Sequence, residues 1–286
     1  MESLDVVSVV LRAAAFIAAL QAAGLAWFNA SGRHAVEAAA HSLNGVLRVA
    51  ALLALVLVLT HRALDAGRLA GAWPGVLDSH LQQLAWSRRP GLSALTCAVG
   101  LMILTVVAGS ARRWSKYLAS VAALAVVGSF ALTGHTTEAA HAGWLQVLVA
   151  LHVGIAAYWL GAVAGLYLLT RRSDPGLVAV AAARFSATAV WFVPLLLPVG
   201  AVLIWGLLPN LAALRTAYGG FVLMKALGFC ALITLAARNR LKSLPVLAVG
   251  KSGAAQGFQR ALCAEYALLC GVLAATAAMT SLFSWH

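Results

Sequence analysis

WLQVLVALHVGIAAYWLGAVAGLYLLT, residues Trp144–Thr170, runs directly into Arg171-Arg172. At about 1.5 Å of rise per residue, this stretch crosses a hydrocarbon core of about 30 Å with turns to spare. Only one of its residues titrates near neutral pH, His152, and it lies well inside the run. The stretch reads as a membrane-spanning helix closed by a basic pair.

Working outward, seven more runs of the same kind appear: Leu4–Phe28, Gly45–Thr60, Leu92–Ser110, Trp114–Thr133, Ser186–Leu208, Tyr218–Ala237 and Phe258–Phe283. They are continuous rather than alternating, which excludes a β-barrel. Of the 286 residues 63% are hydrophobic and 10% charged, with mean hydropathy +0.92. Soluble domains carry about 25% charged residues, so the solvent expected here is a lipid bilayer. The expected fold class is an all-α polytopic membrane protein, a bundle of about eight transmembrane helices. The first run has an acidic head (Glu2, Asp5) and no small-residue cleavage site after a short apolar core, so it should be retained rather than cleaved.

The net charge of +12 belongs to topology and not to nucleic acid. Flanks and loops after the odd-numbered helices hold thirteen basic residues: Arg33, Arg48, Arg112, Arg113, Lys116, Arg171, Arg172, Arg184, Arg238, Arg240, Lys242, Lys251 and Arg260. The even-numbered loops hold five: Arg62, Arg68, Arg88, Arg89 and Arg215. By the positive-inside rule the odd loops face the cytoplasm and both termini lie outside.

Loops are short, so residues 1–286 form a single integral membrane domain. Residues 1–63 make a first helical hairpin and 64–91 an outer loop; the core is 92–286. In the loop, Leu77, Leu81, Leu84 and Ala85 recur at helical spacing between Asp78 and Arg88-Arg89, as expected of a helix lying on the membrane surface and ended by Pro90-Gly91. Helix six carries Pro194 and Pro198, which kink it for architecture or as a hinge. Cys97, Cys230, Cys263 and Cys270 lie in apolar runs without CxxC spacing and read as small hydrophobes. Met102, Met224, Cys230, Cys270 and Met279 scatter soft sulfur, but no Met or Cys pair concentrates it, and packing is the simpler reading.

The histidines carry the chemical signal. His61 and His80 fall in the second loop, His135 and His141 flank the fourth, and His152 lies inside helix five. Imidazole is the commonest transition-metal ligand, and this group gathers on the outer side. If helix five begins near Glu138, then Glu138, His141, Leu148, His152 and Trp159 form one stripe running inward. His141 and His152 are about 16 Å apart along it, so they are successive stations or pair with ligands from other helices. His135 and His141 could share an ion if the loop folds back. As solvated loop residues they would need no ligand role. Arg12 and Lys225 lie at comparable depth, pointing to a shared polar cavity in the outer half or to pairing with Glu138 or backbone carbonyls. Glu265, in the inner half of helix eight, is expected to be neutralised by Arg260, Arg240 or Arg184, with an exit-site ligand as the other reading.

These residues resemble the CopD-type inner-membrane copper proteins, a bacterial copper resistance and transport family. The resemblance rests on Thr133-Gly134-His135, on Leu151-His152 with Tyr158-Trp159-Leu160-Gly161, and on Arg184-Phe185-Ser186. It continues through Thr216-Ala-Tyr218-Gly219 leading to Lys225, Ala237-Arg-Asn239-Arg240, and Arg260 with Glu265. It is strong over roughly 95–283 and only a matter of pattern in the first two helices. The resemblance implies an eight-helix bundle in the bacterial inner membrane with N and C termini periplasmic, handling copper as Cu(I) or Cu(II). The chain carries no fused periplasmic copper domain, so a separate chaperone resembling CopC is the implied donor.

The expected function is a copper permease rather than an enzyme. Copper is accepted on the periplasmic side at His135, His141 and His152, with His61, His80 and Glu138 as further metal ligands. No GxxxxGK[ST] stretch supplies ATP, so transport is passive or ion-coupled. Two rivals stand beside it. One is a non-transporting copper-handling scaffold serving a periplasmic chaperone. The other is a membrane haem b electron-transfer protein, for which His152 lacks an intramembrane partner.

Overall fold

The structure is a computed structural model that describes residues 3–31, 39–110, 112–133, 142–207, 212 and 215–282. In chain order it contains α1 (Ser3–Ser31), α2 (Ala40–Ala70), a short surface helix α3 (Ser79–Ser87), α4 (Arg89–Val107), α5 (Arg113–Ser129) and α6 (Ala142–Arg172). There follow α7 (Pro175–Phe192), α8 (Leu196–Leu207), α9 (Ala217–Arg238), α10 (Leu244–Ala248) and α11 (Ala254–Leu282). No strand occurs among the described residues. Taking α7 with α8 and α9 with α10 as single spans, eight helices among the described residues are long and apolar enough to cross a membrane. The protein is a multi-pass membrane protein.

The bundle is built around α1, which packs most extensively on α2 and α6 and also meets α5 and α11. Its second half, Ala18–Leu25 with Gln21 and Gly24, is almost entirely buried. Small residues let helix backbones approach closely, the main source of packing where lipid is as apolar as leucine. Gly24 lies directly on the backbone of Ala157 and Gly161 in α6. Outward-facing Val10, Val49, Val56, Val106 and Trp205 are exposed, a cost in water and ordinary against lipid.

The start of α1 and the end of α11 lie at one end of the bundle, called here the terminal face. Arg12 Nη1 donates to the Thr280 carbonyl and the Ser281 hydroxyl, both at 3.3 Å, tying the first helix to the last there.

Three local features differ from the sequence reading. First, α2 runs to Ala70 instead of ending at Thr60, so His61 is helical and not in the second loop. The stretch beyond Thr60 is polar but helix-compatible. It is laced by Asp65 with Arg62 at 2.9 Å and with Arg68 at 3.4 Å, each three residues away. Gly71, with φ +68°, supplies the left-handed cap that ends it. Second, the surface helix α3 spans Ser79–Ser87, with Asp78 accepting from the amides of His80 and Leu81 at 2.9 and 3.0 Å. Pro90 does not end α3; it sits in the first turn of α4, where its missing N–H costs nothing. Third, the kink expected in helix six takes the form of a 3₁₀ turn at Val193–Leu195, containing Pro194, within one helical span. A further π-helical segment, Asn239–Ser243, interrupts span seven.

Candidate functional site

His152 sits on α6 about 15 Å by helical rise from Ala142. Leu148 and Trp159, its stripe neighbours, are buried, so the described part of the stripe does face the bundle interior. The His152 ring is half-buried. Its Nδ1 is enclosed and has no hydrogen-bond partner among the described residues. The ring lies beside Gly200 of α8, where an added β-carbon would stand 3.5 Å from His152 Cε1. Lys225 of α9 is within electrostatic range. An imidazole nitrogen buried against α8 without a partner among the described residues is a single-ligand station, able to hold a soft cation only with help from other groups. A buried imidazole nitrogen without a partner is costly unless something binds it.

His61 belongs to a different group. Its Nε2 is 3.2 Å from the Ser8 hydroxyl, which is 1% exposed. Arg12, Arg62, Asp65 and Arg68 surround it, and Arg68 also reaches Asp5 at 3.7 Å. The polar groups expected to share one site therefore have different neighbours: Arg12 stands with His61, Arg62, Asp65 and Arg68, whereas His152 has Lys225 as its charged neighbour. Arg12 does meet a backbone carbonyl, as one reading of the sequence expected, and its guanidinium lies 5.3 Å from the Phe16 ring centre. His80 is exposed on α3. His135, Glu138 and His141 lie outside the described residues. Among the described residues no three His, Cys, Asp or Glu side chains gather where a metal could sit.

Farther along the same face of α6, two turns beyond His152, the indole of Trp159 donates to Glu265 Oε1 at 2.6 Å. The other carboxylate oxygen accepts from Asn239 Nδ2 at 2.8 Å. Glu265 is 3% exposed. The expected arginine partners do not pair with it: Arg240 Nη1 instead donates to the carbonyl and hydroxyl of Ser186 at 2.8 and 2.9 Å. The correction has a simple cause. Two neutral N–H donors satisfy a carboxylate without bringing a second charge into the bilayer.

Glu265 forms part of the wall of a cavity of about 250 Å³ between α6, α7, α9 and α11. Trp159, Phe185, Ser186, Asn239 and Arg240 also line it. These residues come from four separate motifs; the sequence linked Glu265 to Arg240 only as a charge partner and gave no sign that Trp159 or Asn239 meets it. The only local hint was the polar pair Asn239-Arg240 closing an apolar run. Asn239, the first residue of the π-helical segment, is buried while Arg240 is exposed.

Comparison with protein families matches residues 3–147 to copper resistance protein D-like, N-terminal domain, and residues 179–279 to copper resistance protein D. The first match takes in the two helices where the resemblance rested on pattern alone. No curated protein matched, and no solved structure did. With two matches that together span most of an eight-helix bundle, the chain belongs to the copper resistance protein D family.

Proposed function

We propose that this protein is a bacterial inner-membrane copper permease that accepts copper at its periplasmic face and moves it into the cytoplasm. The observation that carries the reading is His152: an intramembrane imidazole whose buried Nδ1 lacks a partner among the described residues, beside a helix with a 3₁₀ turn, in a copper resistance family. The charge distribution supports placing the terminal face in the periplasm. Copper would then reach His152 by way of His135, Glu138 and His141, all close in sequence to the start of α6. A chaperone similar to CopC is the donor this reading favours.

His61 and His80 take lesser parts. His80 is exposed on the terminal face and is suited to first capture. His61 is hydrogen-bonded to Ser8 and crowded by arginines, which disfavours a cation there.

The test is uptake by the full chain reconstituted into liposomes that enclose a copper-sensitive dye. External copper should raise the internal signal, and His152→Ala should abolish the rise while the protein stays folded. Copper binding without uptake in the unaltered protein would overturn permeation and favour the scaffold. A Soret band in the purified protein would revive the haem reading.

A further inference from the structure

Glu265 is a carboxylate about 16 Å along α11 from Ala254, deep in a membrane span, with no cation bonded to it among the described residues. A group so placed marks a functional site more often than a structural one. Its surroundings discriminate among the cations it could take. Both hydrogen-bond partners, Trp159 Nε1 and Asn239 Nδ2, are donors, and an N–H donor cannot ligate a metal through that atom. The Asn239 amide oxygen is turned toward Ser243, whose hydroxyl is 3.5 Å away. Among the described residues, Glu265 belongs to no group of three or more carboxylate, imidazole or thiol side chains that could hold a metal. A metal ion would find an incomplete ligand set there. A proton needs only one free lone pair, and each oxygen has one to spare.

The cavity, mostly apolar in its walls, reaches from Glu265 to the Arg240 guanidinium at the polar end of α9. At about 30 Å³ of liquid per water, its volume has room for several molecules. The other charged groups around Glu265 stand apart or are engaged. Arg240 is bonded to Ser186, and Arg184, Arg238, Lys242 and Arg260 are exposed. Arg171 and Arg172 end α6. Asp5 and Arg12 of α1 and Lys225 of α9 lie toward the terminal face. Tyr266, Cys263 and Cys270 are the titratable neighbours on α11 itself, and α10 contributes none.

One element touches both this cavity and His152. Val190, Val193 and Pro194, around the 3₁₀ turn between α7 and α8, line the cavity, while Gly200 of α8 lies against the His152 ring. Pro194 cannot donate a backbone hydrogen bond, so the turn is a pre-weakened point of the helix.

We propose that Glu265 is a proton-binding station, loading and unloading through this cavity, and that its proton exchanges in step with passage of copper past His152. In the step, the neutral carboxylic acid releases one proton to the solution at the cavity mouth and becomes a carboxylate held by Trp159 and Asn239. Reprotonation from the same solution resets it, and no other reactant takes part. The coupling rests on the permease reading; the proton site does not.

Infrared difference spectra of the full chain in liposomes, taken across a pH step, test the site itself. All eight Asp and Glu residues can contribute carboxylic-acid carbonyl stretches at the acid end; one of these bands should be missing from Glu265→Gln. Identical acid-end bands in the unaltered protein and the variant would overturn the proton site. A pH-sensitive dye inside copper-transporting liposomes, followed with time resolution, tests the coupling: copper should drive a transient proton release and re-uptake that Glu265→Gln removes while copper binding persists. Copper uptake without any proton signal overturns the coupling. Failure of the unaltered protein to move copper overturns the permease reading, and with it the coupling, while the infrared band still decides the proton site.

Discussion

Gly24 of α1 and Gly161 of α6 bring two helix backbones into direct contact. A β-carbon built on either residue would overlap backbone atoms of the other helix. This is the tightest crossing at the centre of the bundle, and it fixes the height of α6, and so of His152 and Trp159, relative to α1. Gly161→Val should lower thermal stability in detergent, by about 1–3 kcal/mol or more if the backbones cannot separate. Gly143→Ala is the matched control, since nothing stands within 4 Å of an added β-carbon there. Melting followed by size-exclusion of the surviving fraction distinguishes the two, and equal melting would show that the crossing is not a tight one.

The bond from Trp159 to Glu265 joins α6 to α11 and can be isolated by a double-mutant cycle of Trp159→Phe and Glu265→Gln. Hydrogen bonds between membrane helices are worth about 0.6 kcal/mol on average and up to about 1.7. The short distance of 2.6 Å and the charged acceptor place this one at the upper end, about 1–2 kcal/mol. Asn239→Leu should destabilise as well, because it leaves Glu265 Oε2 without a donor. A coupling near zero would mean that the two side chains are stabilised independently.

The spans were legible in the sequence because a hydrocarbon slab imposes one length on every crossing helix. Their ends were less so. Hydropathy falls where polar residues begin, but the backbone of α2 stays helical through His61 to Ala70, and a histidine assigned to a loop turns out to bond Ser8. Helical arithmetic correctly put His152 and Trp159 on one buried face of α6. It could not find Glu265 as the partner of Trp159, since the two are 106 positions apart and meet only through packing. The arginine expectation failed for a related reason. Counting charges looks for opposite charges, while the fold answered with an indole and an amide.

Gly200 offers a test of the His152 station that leaves the imidazole in place. A methyl group at Gly200 would sit at ordinary van der Waals distance, 3.5 Å from His152 Cε1. Gly200→Ala should therefore behave almost like the unaltered protein. Gly200→Leu should crowd the ring and reduce copper uptake several-fold without loss of membrane insertion, approaching His152→Ala. Uptake assayed side by side with protein level in the membrane fraction makes the comparison. Full uptake by Gly200→Leu would argue that copper does not pass between α6 and α8.

Arg171 and Arg172 close α6 at the end away from the terminal face, in its last turn. They are the strongest local determinant of which side that end occupies, since juxtamembrane basic residues set orientation. Replacing both with glutamate leaves only Arg184 among the basic residues counted after the fifth span. Arg171→Glu with Arg172→Glu should then lower the amount of correctly inserted protein, read as a change in accessibility of a cysteine introduced on the exposed surface of α3 to a membrane-impermeant reagent. The correctly inserted fraction should bind copper with unchanged affinity, because His152 lies about 28 Å away along the helix. Equal loss of copper affinity in that fraction would place metal binding at the basic end and reverse the assignment of the two faces.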